Sequence, residues 1–451
     1  MSYTKHILSK STFCYGVQCP KRLYLHKYRP EFRNPEDDSQ QAIFSSGTNV
    51  GLLAQELFPG GVNAEPPDSF SYHLSVEKTQ QLINEGANII YEACFNYNGV
   101  LCAIDILVKE NNKWYAFEVK GTTKVKEPHI MDAALQYHII KYSGIQLEDI
   151  YLVHLNNQYV RRGEINVHEL FTKQSIHQQV KEQQEFIGTK IEELKKLVAD
   201  KVEPVVEVGD HCFEPYECDF TEHCWKDVEV EERKSEREAF INKEFLAEFI
   251  GGLQYPLYYF DFETVMPAIP EFDESRPYQQ IPTQYSLHIQ TTKESELLHT
   301  EFLGDGQTDP RESLIKELLA SLGKEGSIIV WNQTFEISRL KELARDFPQY
   351  EKQICQVIER VVDLMVPFRK KEYYHPEFNE SYSIKKVLPV LVPELSYSAL
   401  EIQDGGSASL IYLQLKNQSE EVREEQRKNL LEYCKLDTLA MVKILEKINI
   451  F

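Results

Sequence analysis

From residue 226 to 245 the chain reads KDVEVEERKSEREAFINKEF, where charged side chains so outnumber apolar ones that the stretch makes a poor layer for a hydrophobic core. It interrupts a chain of 451 residues, longer than single cores usually grow, so each flank has to build a core of its own. Both flanks alternate short apolar runs with amphipathic segments, the pattern of mixed α/β domains. The expected organisation is a first domain over 1–230, a charged linker or solvated helix over 231–250, and a second domain over 251–451.

In the first half, GANIIYEACF, VLCAIDILV and WYAFEVKG read as strands, HIMDAALQYHIIKYSG as an amphipathic helix, DIYLVHL as a further strand, and residues 172–200 as one long polar helix. The polar KENNK joins the second and third runs into a hairpin. Glu118 and Lys120 then share a face, and Asp105 reaches the same end of it. Two carboxylates and a lysine in that arrangement suit metal-assisted phosphodiester hydrolysis: the acids hold a divalent ion, and the lysine orients or deprotonates the attacking water. Glu92, in IYEACF, adds an acid to the cluster. The plainer alternative is a surface hairpin with scattered charges.

Cys19 stands in VQCPKRLYLHKY, and Cys212, Cys218 and Cys224 recur every six residues beyond the long helix. Four thiolates suit zinc or an iron–sulfur cluster, with Cys14 competing for the place of fourth ligand. Cys94, Cys102, Cys355 and Cys434 lie in apolar runs and read as packing residues.

The second half opens with PLYYFDFET, an apolar run carrying Asp261 and Glu263 at alternate positions, hence on one face of a strand. Like charges that close repel unless a cation sits between them. SIIVWNQTFEISRLKEL reads as a strand running into a helix, with Asn332 at the strand end and Glu336 on the first turn. LLEYCKLDTLAMVKIL reads as a helix with Tyr433 and Asp437 four apart on one face. Asp363, in RVVDLMVPF, is an alternative to Glu336 or a surface acid at a strand end.

The net charge of −22 argues against passive coating of nucleic acid, but not against an enzyme that meets phosphates through divalent cations held by acids. No apolar run is long enough to span a bilayer, and MSYTKHILSK lacks the apolar core of a signal peptide. The cytoplasm is the expected compartment and a membrane is not an expected partner; nine cysteines there argue for thiols and a metal site over disulfides.

These residues resemble two nuclease families. Asp105, then Glu118-x-Lys120, then a helix bearing Gln136 and Tyr137 resembles the PD-(D/E)XK core of RecB-like nucleases, which have a restriction-endonuclease-like fold. One cysteine before that core, in CPKRLYL, and three close together after it is similar to the iron–sulfur members of that branch, including AddB-type and CRISPR-associated enzymes. The resemblance implies a 4Fe-4S cluster on Cys19, Cys212, Cys218 and Cys224, a divalent ion on Glu92, Asp105 and Glu118, and catalytic roles for Lys120 and Gln136. Asp-x-Glu, then Asn332-x-x-Phe335-acid, then Tyr-x-x-x-Asp resembles the DEDD exonucleases of the RNase H-like fold, in the tyrosine (DEDDy) variant. That implies Mg²⁺ or Mn²⁺ ions on Asp261, Glu263, Glu336 and Asp437, with Tyr433 guiding the attacking water. Glu336 stands where the family carries aspartate. Together they resemble a bacterial family that fuses the two nuclease types, which implies a metal-dependent nuclease acting on DNA, as single strands or ends, in repair or in defence against foreign DNA. RNA trimming by the second half, and a non-catalytic recruitment module with a retired site, are the two other readings.

Overall fold

The computed structural model describes residues 6–35, 47–68, 71–226 and 238–449. The chain separates into two compact mixed α/β units, 1–229 and 230–451.

In the first unit the elements are β1 (Leu8–Ser9), α1 (Lys10–Gln18), α2 (Pro20–Tyr28), β2 (Val62–Asn63), α3 (Tyr72–Asn84), β3 (Ile89–Tyr97), β4 (Val100–Glu110), β5 (Lys113–Lys120), α4 (Glu127–Tyr142), β6 (Leu147–Leu155), β7 (Phe171–Ser175) and α5 (Gln184–Asp200). The sheet runs β2-β3-β4-β5-β6-β7, and β1 pairs in parallel with the start of β4. Asn111 and Asn112 turn the β4–β5 hairpin with φ of 51° and 62°, the left-handed pair that matches strand twist in two-residue loops. Helix α4 is the crossover between parallel β5 and β6, and Ile130, Ala133, Ala134 and Ile140 seat it in the core. The expected helix over 172–200 is interrupted: Thr172–Ser175 form ladder pairs with Tyr151–His154 of β6. A short helix, His177–Glu182, then precedes α5. Edge pairing satisfies the backbone of this polar segment, which the side-chain pattern alone does not reveal.

The second unit contains α6 (Lys243–Gly251), β8 (Leu257–Val265), β9 (Ile281–Gln290), β10 (Leu297–Leu303), α7 (Arg311–Ser321), β11 (Ile328–Val330), α8 (Gln333–Asp346), β12 (Val361–Asp363), α9 (Ile384–Leu391), α10 (Gly405–Gln414) and α11 (Glu420–Ile448). The sheet order is β10-β9-β8-β11-β12, antiparallel through the first three strands and parallel through the last three. Alternation along β8 sends Tyr258, Phe260 and Phe262 into a core with α7 and α8, and Leu257, Tyr259 and Val265 into a core with α11. Asp261 and Glu263 share the parity of the second set, so both face α11.

Of the expected linker, 231–237 lies outside the described residues. Lys243–Gly251 is a helix of the second unit: Asn242 accepts from Phe245 N at 3.1 Å, Leu246 is buried, and Phe245, Phe249 and Ile250 pack against the α11 core. The apolar positions recur at helical spacing, and the charges take the other face. No helix among the described residues is long and apolar enough to cross a membrane.

Candidate functional site

Three clusters gather the residues that the sequence singles out. In the first unit Glu92, Asp105 and Glu118 stand on the neighbouring strands β3, β4 and β5, each next to the register Tyr91–Ile106–Phe117. Glu92 drops out of the ladder with φ of 53°, a left-handed conformation that costs a residue with a Cβ roughly 1–2 kcal/mol. Such strain in mid-strand re-aims the side chain and is typical of functional positions. Asp105 Oδ2 accepts from Val119 N at 2.5 Å.

Glu118 is 1% exposed. Its Oε1 accepts from Lys120 Nζ at 2.9 Å and from Lys10 Nζ at 2.7 Å, and its Oε2 from Gln136 Nε2 at 2.5 Å. Lys120 also donates to Asp132 Oδ2 at 2.7 Å, one turn before Gln136 on α4. Burial, with the charges of Glu118 and Glu65, pushes Glu92 up to about 7, and burial with Glu118 and Glu92 raises Asp105 as well. Burial also opposes the charge on Glu118, but the Lys10 and Lys120 ammoniums outweigh it and hold the carboxyl below its usual range. The Lys120 ammonium is disfavoured by burial and stabilised more strongly by Glu118 and Asp132, so it is raised. Lys120 thus bridges Glu118 and Asp132 as a hydrogen-bond donor.

In the second unit Asp261 and Glu263 from β8 meet Glu336 from the first turn of α8 and Asp437 from α11. Asn332 caps α8 by accepting from Thr334 N at 3.3 Å, which sets where Glu336 projects. Burial, then Asp437, Glu336 and Glu263, raise Asp261 well above the carboxylate range. Burial and Asp437 push Glu263 up to about 8, and burial and Asp363 push Glu336 up to about 8. Asp437 is raised by burial to about 6, held lower than the others by a hydrogen bond from Tyr397 Oη to its Oδ1 at 2.5 Å and by Lys385. Tyr433 Oη accepts from Lys385 Nζ at 3.1 Å, and Lys385 also donates to Gln403 O at 2.6 Å.

Glu336 and Asp363 are distinguished by their partners. Asp363 accepts from Met365 N at 2.9 Å and from Arg369 Nη2 at 3.2 Å, so both oxygens are occupied. Glu336 is 2% exposed, and its buried Oε2 has no hydrogen-bond partner among the described residues. An orphaned buried carboxylate oxygen beside the half-buried Asp261 and Glu263 and the buried Asp437 is the arrangement a hard cation fits, since each alternative leaves charge unpaired or protonated.

The third cluster is the four cysteines. Cys19 lies between α1 and α2, Cys212 ends a turn at Asp210–Cys212, Cys218 follows, and Cys224 closes a short helix. All four thiols are free and line one pocket with Arg22 and Phe220. Cys14 does not line it: its Sγ donates to Asp132 Oδ1 at 3.1 Å, in the first acid cluster. Two other cysteines depart from the packing role. Cys355 is exposed, because α-helical spacing in Glu351–Ile358 turns it away from buried Ile354 and Val357. Cys434 is buried with its Sγ 4.0 Å from Asp261 Oδ2. Asp261, Glu263 and Cys434 are the one set of three or more His, Cys, Asp or Glu ligand atoms within 4.8 Å of one another among the described residues.

Sequence reasoning missed Lys10, Asp132, Lys385 and Tyr397. Asp132 was findable, since it precedes Gln136 by four on the same helix. The Lys10–Glu118 contact spans 108 residues and that of Tyr397 with Asp437 spans 40, which no local pattern marks.

Comparison with known proteins adds family relations without chemistry. A family model described as Domain of unknown function (DUF2779) matches residues 258–383, a segment holding Asp261, Glu263, Glu336 and Asp363 but ending before Lys385, Tyr433 and Asp437. "Uncharacterized protein UU173" of Ureaplasma parvum is 34% identical over 170 residues, covering 33% of this chain. "Uncharacterized protein MG366 homolog" of Mycoplasma pneumoniae is 29% identical over 205 residues, covering 41% of this chain. The matched segments span only 24% and 31% of the lengths of those two relatives, to parts of which this chain is similar.

Proposed function

We propose that the chain is a metal-dependent nuclease that hydrolyses phosphodiester bonds of DNA, with a RecB-like PD-(D/E)XK site in the first unit and a DEDDy site of RNase H-like type in the second. The observation that carries this reading is the convergence of four acids from β8, α8 and α11, two of them, Glu336 and Asp437, buried and Glu336 with an orphaned oxygen. The strand order of the second unit, three antiparallel then two parallel additions, agrees with it. In the first unit the support is the acids Glu92, Asp105 and Glu118 on neighbouring strands, where burial and the charge of Glu118 raise the pKa of Glu92 and Asp105, with Lys120 and Gln136 on Glu118.

Mg²⁺ or Mn²⁺, if held by these acids, would supply polarisation of the scissile phosphate and charge neutralisation. The protein's own groups do the rest. Lys120 donates to and orients the attacking water in the first site, while Gln136 fixes the Glu118 carboxylate. In the second, Tyr433 Oη accepts a hydrogen bond from Lys385 Nζ and so keeps its own O–H to direct water, while Tyr397 holds Asp437. Purified full chain incubated with end-labelled single-stranded DNA or RNA should release products with Mg²⁺ or Mn²⁺ and none with EDTA, with DNA preferred. Cleavage of RNA alone would favour the RNA-trimming reading, and binding without cleavage the recruitment reading.

The acids give a pH dependence. Folded, metal-free protein retains protons on Glu263 and Glu336 up to about pH 8, whereas unfolded carboxyls lose theirs near about pH 4. The folded state binds more protons across that window, so its stability falls as pH rises. Divalent ions take the protons' place, so Mn²⁺ should raise the melting temperature more at pH 8 than at pH 6. Equal shifts at both pH values in differential scanning fluorimetry would contradict it.

For the cysteines we propose a 4Fe-4S cluster joining the start and end of the first unit. The support is that the four thiols line one pocket, Cys19 from the junction of α1 and α2 and the other three from the segment after α5. Iron and acid-labile sulfide should be found in anaerobically purified protein, and Cys218→Ser should remove both and lower the first unit's melting temperature. One zinc and no iron would replace the cluster with a zinc staple.

A further inference from the structure

We propose that Lys10 binds substrate in the first site, contacting a non-bridging oxygen of the scissile phosphate in a nucleic-acid chain once the acids carry a divalent ion. This inference rests on the nuclease reading above. Lys10 opens α1, and a reciprocal cap fixes that opening: Ser9 N donates to Thr12 Oγ1 at 2.7 Å, and Thr12 N to Ser9 Oγ at 3.3 Å. The helix start thereby delivers the ammonium to Glu118 Oε1, the oxygen that already takes Lys120.

The two lysines are not equivalent. Lys120 is anchored a second time by Asp132, whereas Glu118 is the only hydrogen-bond partner of the Lys10 ammonium among the described residues. An ion ligated at Oε1 competes with both donors, and the singly anchored one yields. Lys10 has somewhere to go: its side chain is 28% exposed against 1% for Glu118. It lines an open pocket in which Lys10, His26 and Lys27 share the walls with Glu92 and Asp105. In a chain of net charge −22, the two lysines placed in the pocket of the metal-holding acids fit a phosphodiester chain that needs both.

The test uses full chain carrying Asp261→Asn, so that only the first site cuts. Lys10→Met is compared with Lys10→Arg, and Lys10→Gln replaces the methionine variant should that one not fold. With Ca²⁺ in place of Mg²⁺, oligonucleotide affinity measured against salt should lose about 0.7 from its log–log slope in Lys10→Met, one phosphate contact on a single strand, and keep it in Lys10→Arg. With Mg²⁺, kcat/KM should fall by about 10-fold or more in Lys10→Met and recover in Lys10→Arg. A wild-type slope and wild-type kcat/KM in Lys10→Met, with tighter Mn²⁺ binding by calorimetry, would overturn the proposal and make Lys10 a mere occupant of the ion's place. If the parent protein neither binds nor cuts any oligonucleotide, the nuclease reading itself fails, and this one with it.

Discussion

Glutamine at Glu336 should lower the proposed metal-dependent exonuclease activity of the second unit by about 10³-fold or more, since the charge stabilisation lost with a metal ligand is worth several kcal/mol. The same substitution stabilises the metal-free protein at pH 9 and leaves its stability nearly unchanged at pH 6. Burial and Asp363 push the Glu336 carboxyl up to about 8, so at pH 9 it is ionised without a partner for Oε2 and at pH 6 it is already neutral. Gain of melting temperature with loss of activity in one variant separates a ligand from a scaffold residue. Asp363→Asn behaves oppositely. Its carboxylate is spoken for by Met365 N and Arg369, so the change costs about 1 kcal/mol of stability and leaves turnover within a few fold. Exonuclease assays on both variants, with melting curves at the two pH values, read this out. Activity retained in Glu336→Gln and lost in Asp363→Asn would move the ligand to β12.

Much of this site is legible in the sequence because its geometry is local. Asp261 and Glu263 alternate on a strand, Tyr433 and Asp437 stand one helical turn apart, and Asn332 fixes the turn from which Glu336 projects. Period and capping are short-range properties, so these pairings survive any arrangement of the rest. The hairpin of Asp105 with Glu118-x-Lys120 is legible for the same reason: two asparagines set its turn and the turn sets its register. What the sequence hides is contact between distant segments. Lys10, Lys385 and Tyr397 reach the acids from elements that carry no local mark, and their partners decide which acids stay charged. Helix α6 was hidden by composition, since its charges masked the apolar stripe on Phe245, Leu246, Phe249 and Ile250. Thr172–Ser175 failed in the other direction, where an available sheet edge overrode a polar, helix-like pattern.

On the proposed reading, Lys120→Ala and Asp261→Asn should each abolish one activity and leave the other near wild type. Each cluster is described by side chains of its own unit: Lys120 is bound to Glu118 and Asp132, and Asp261 is near Glu263, Glu336, Asp437 and Cys434. Lys120→Ala leaves Glu92, Asp105 and Glu118 to hold an ion but removes the donor that orients water. It also frees Asp132, which loses its ion pair while keeping Cys14. Asp261→Asn keeps the shape of β8 and halves the charge of the Asp-x-Glu pair, so the ions are held weakly and turnover falls by about 10³-fold. Products from end-labelled DNA distinguish the two, because each variant exposes the polarity and substrate preference of the remaining site. The double variant binds nucleic acid and cuts nothing. Loss of all cleavage in Lys120→Ala alone would mean that the second site is retired or works only on the first site's product. Loss of all cleavage in Asp261→Asn alone would make the first unit the gripping partner, its cysteine-stapled ends serving to hold the strand.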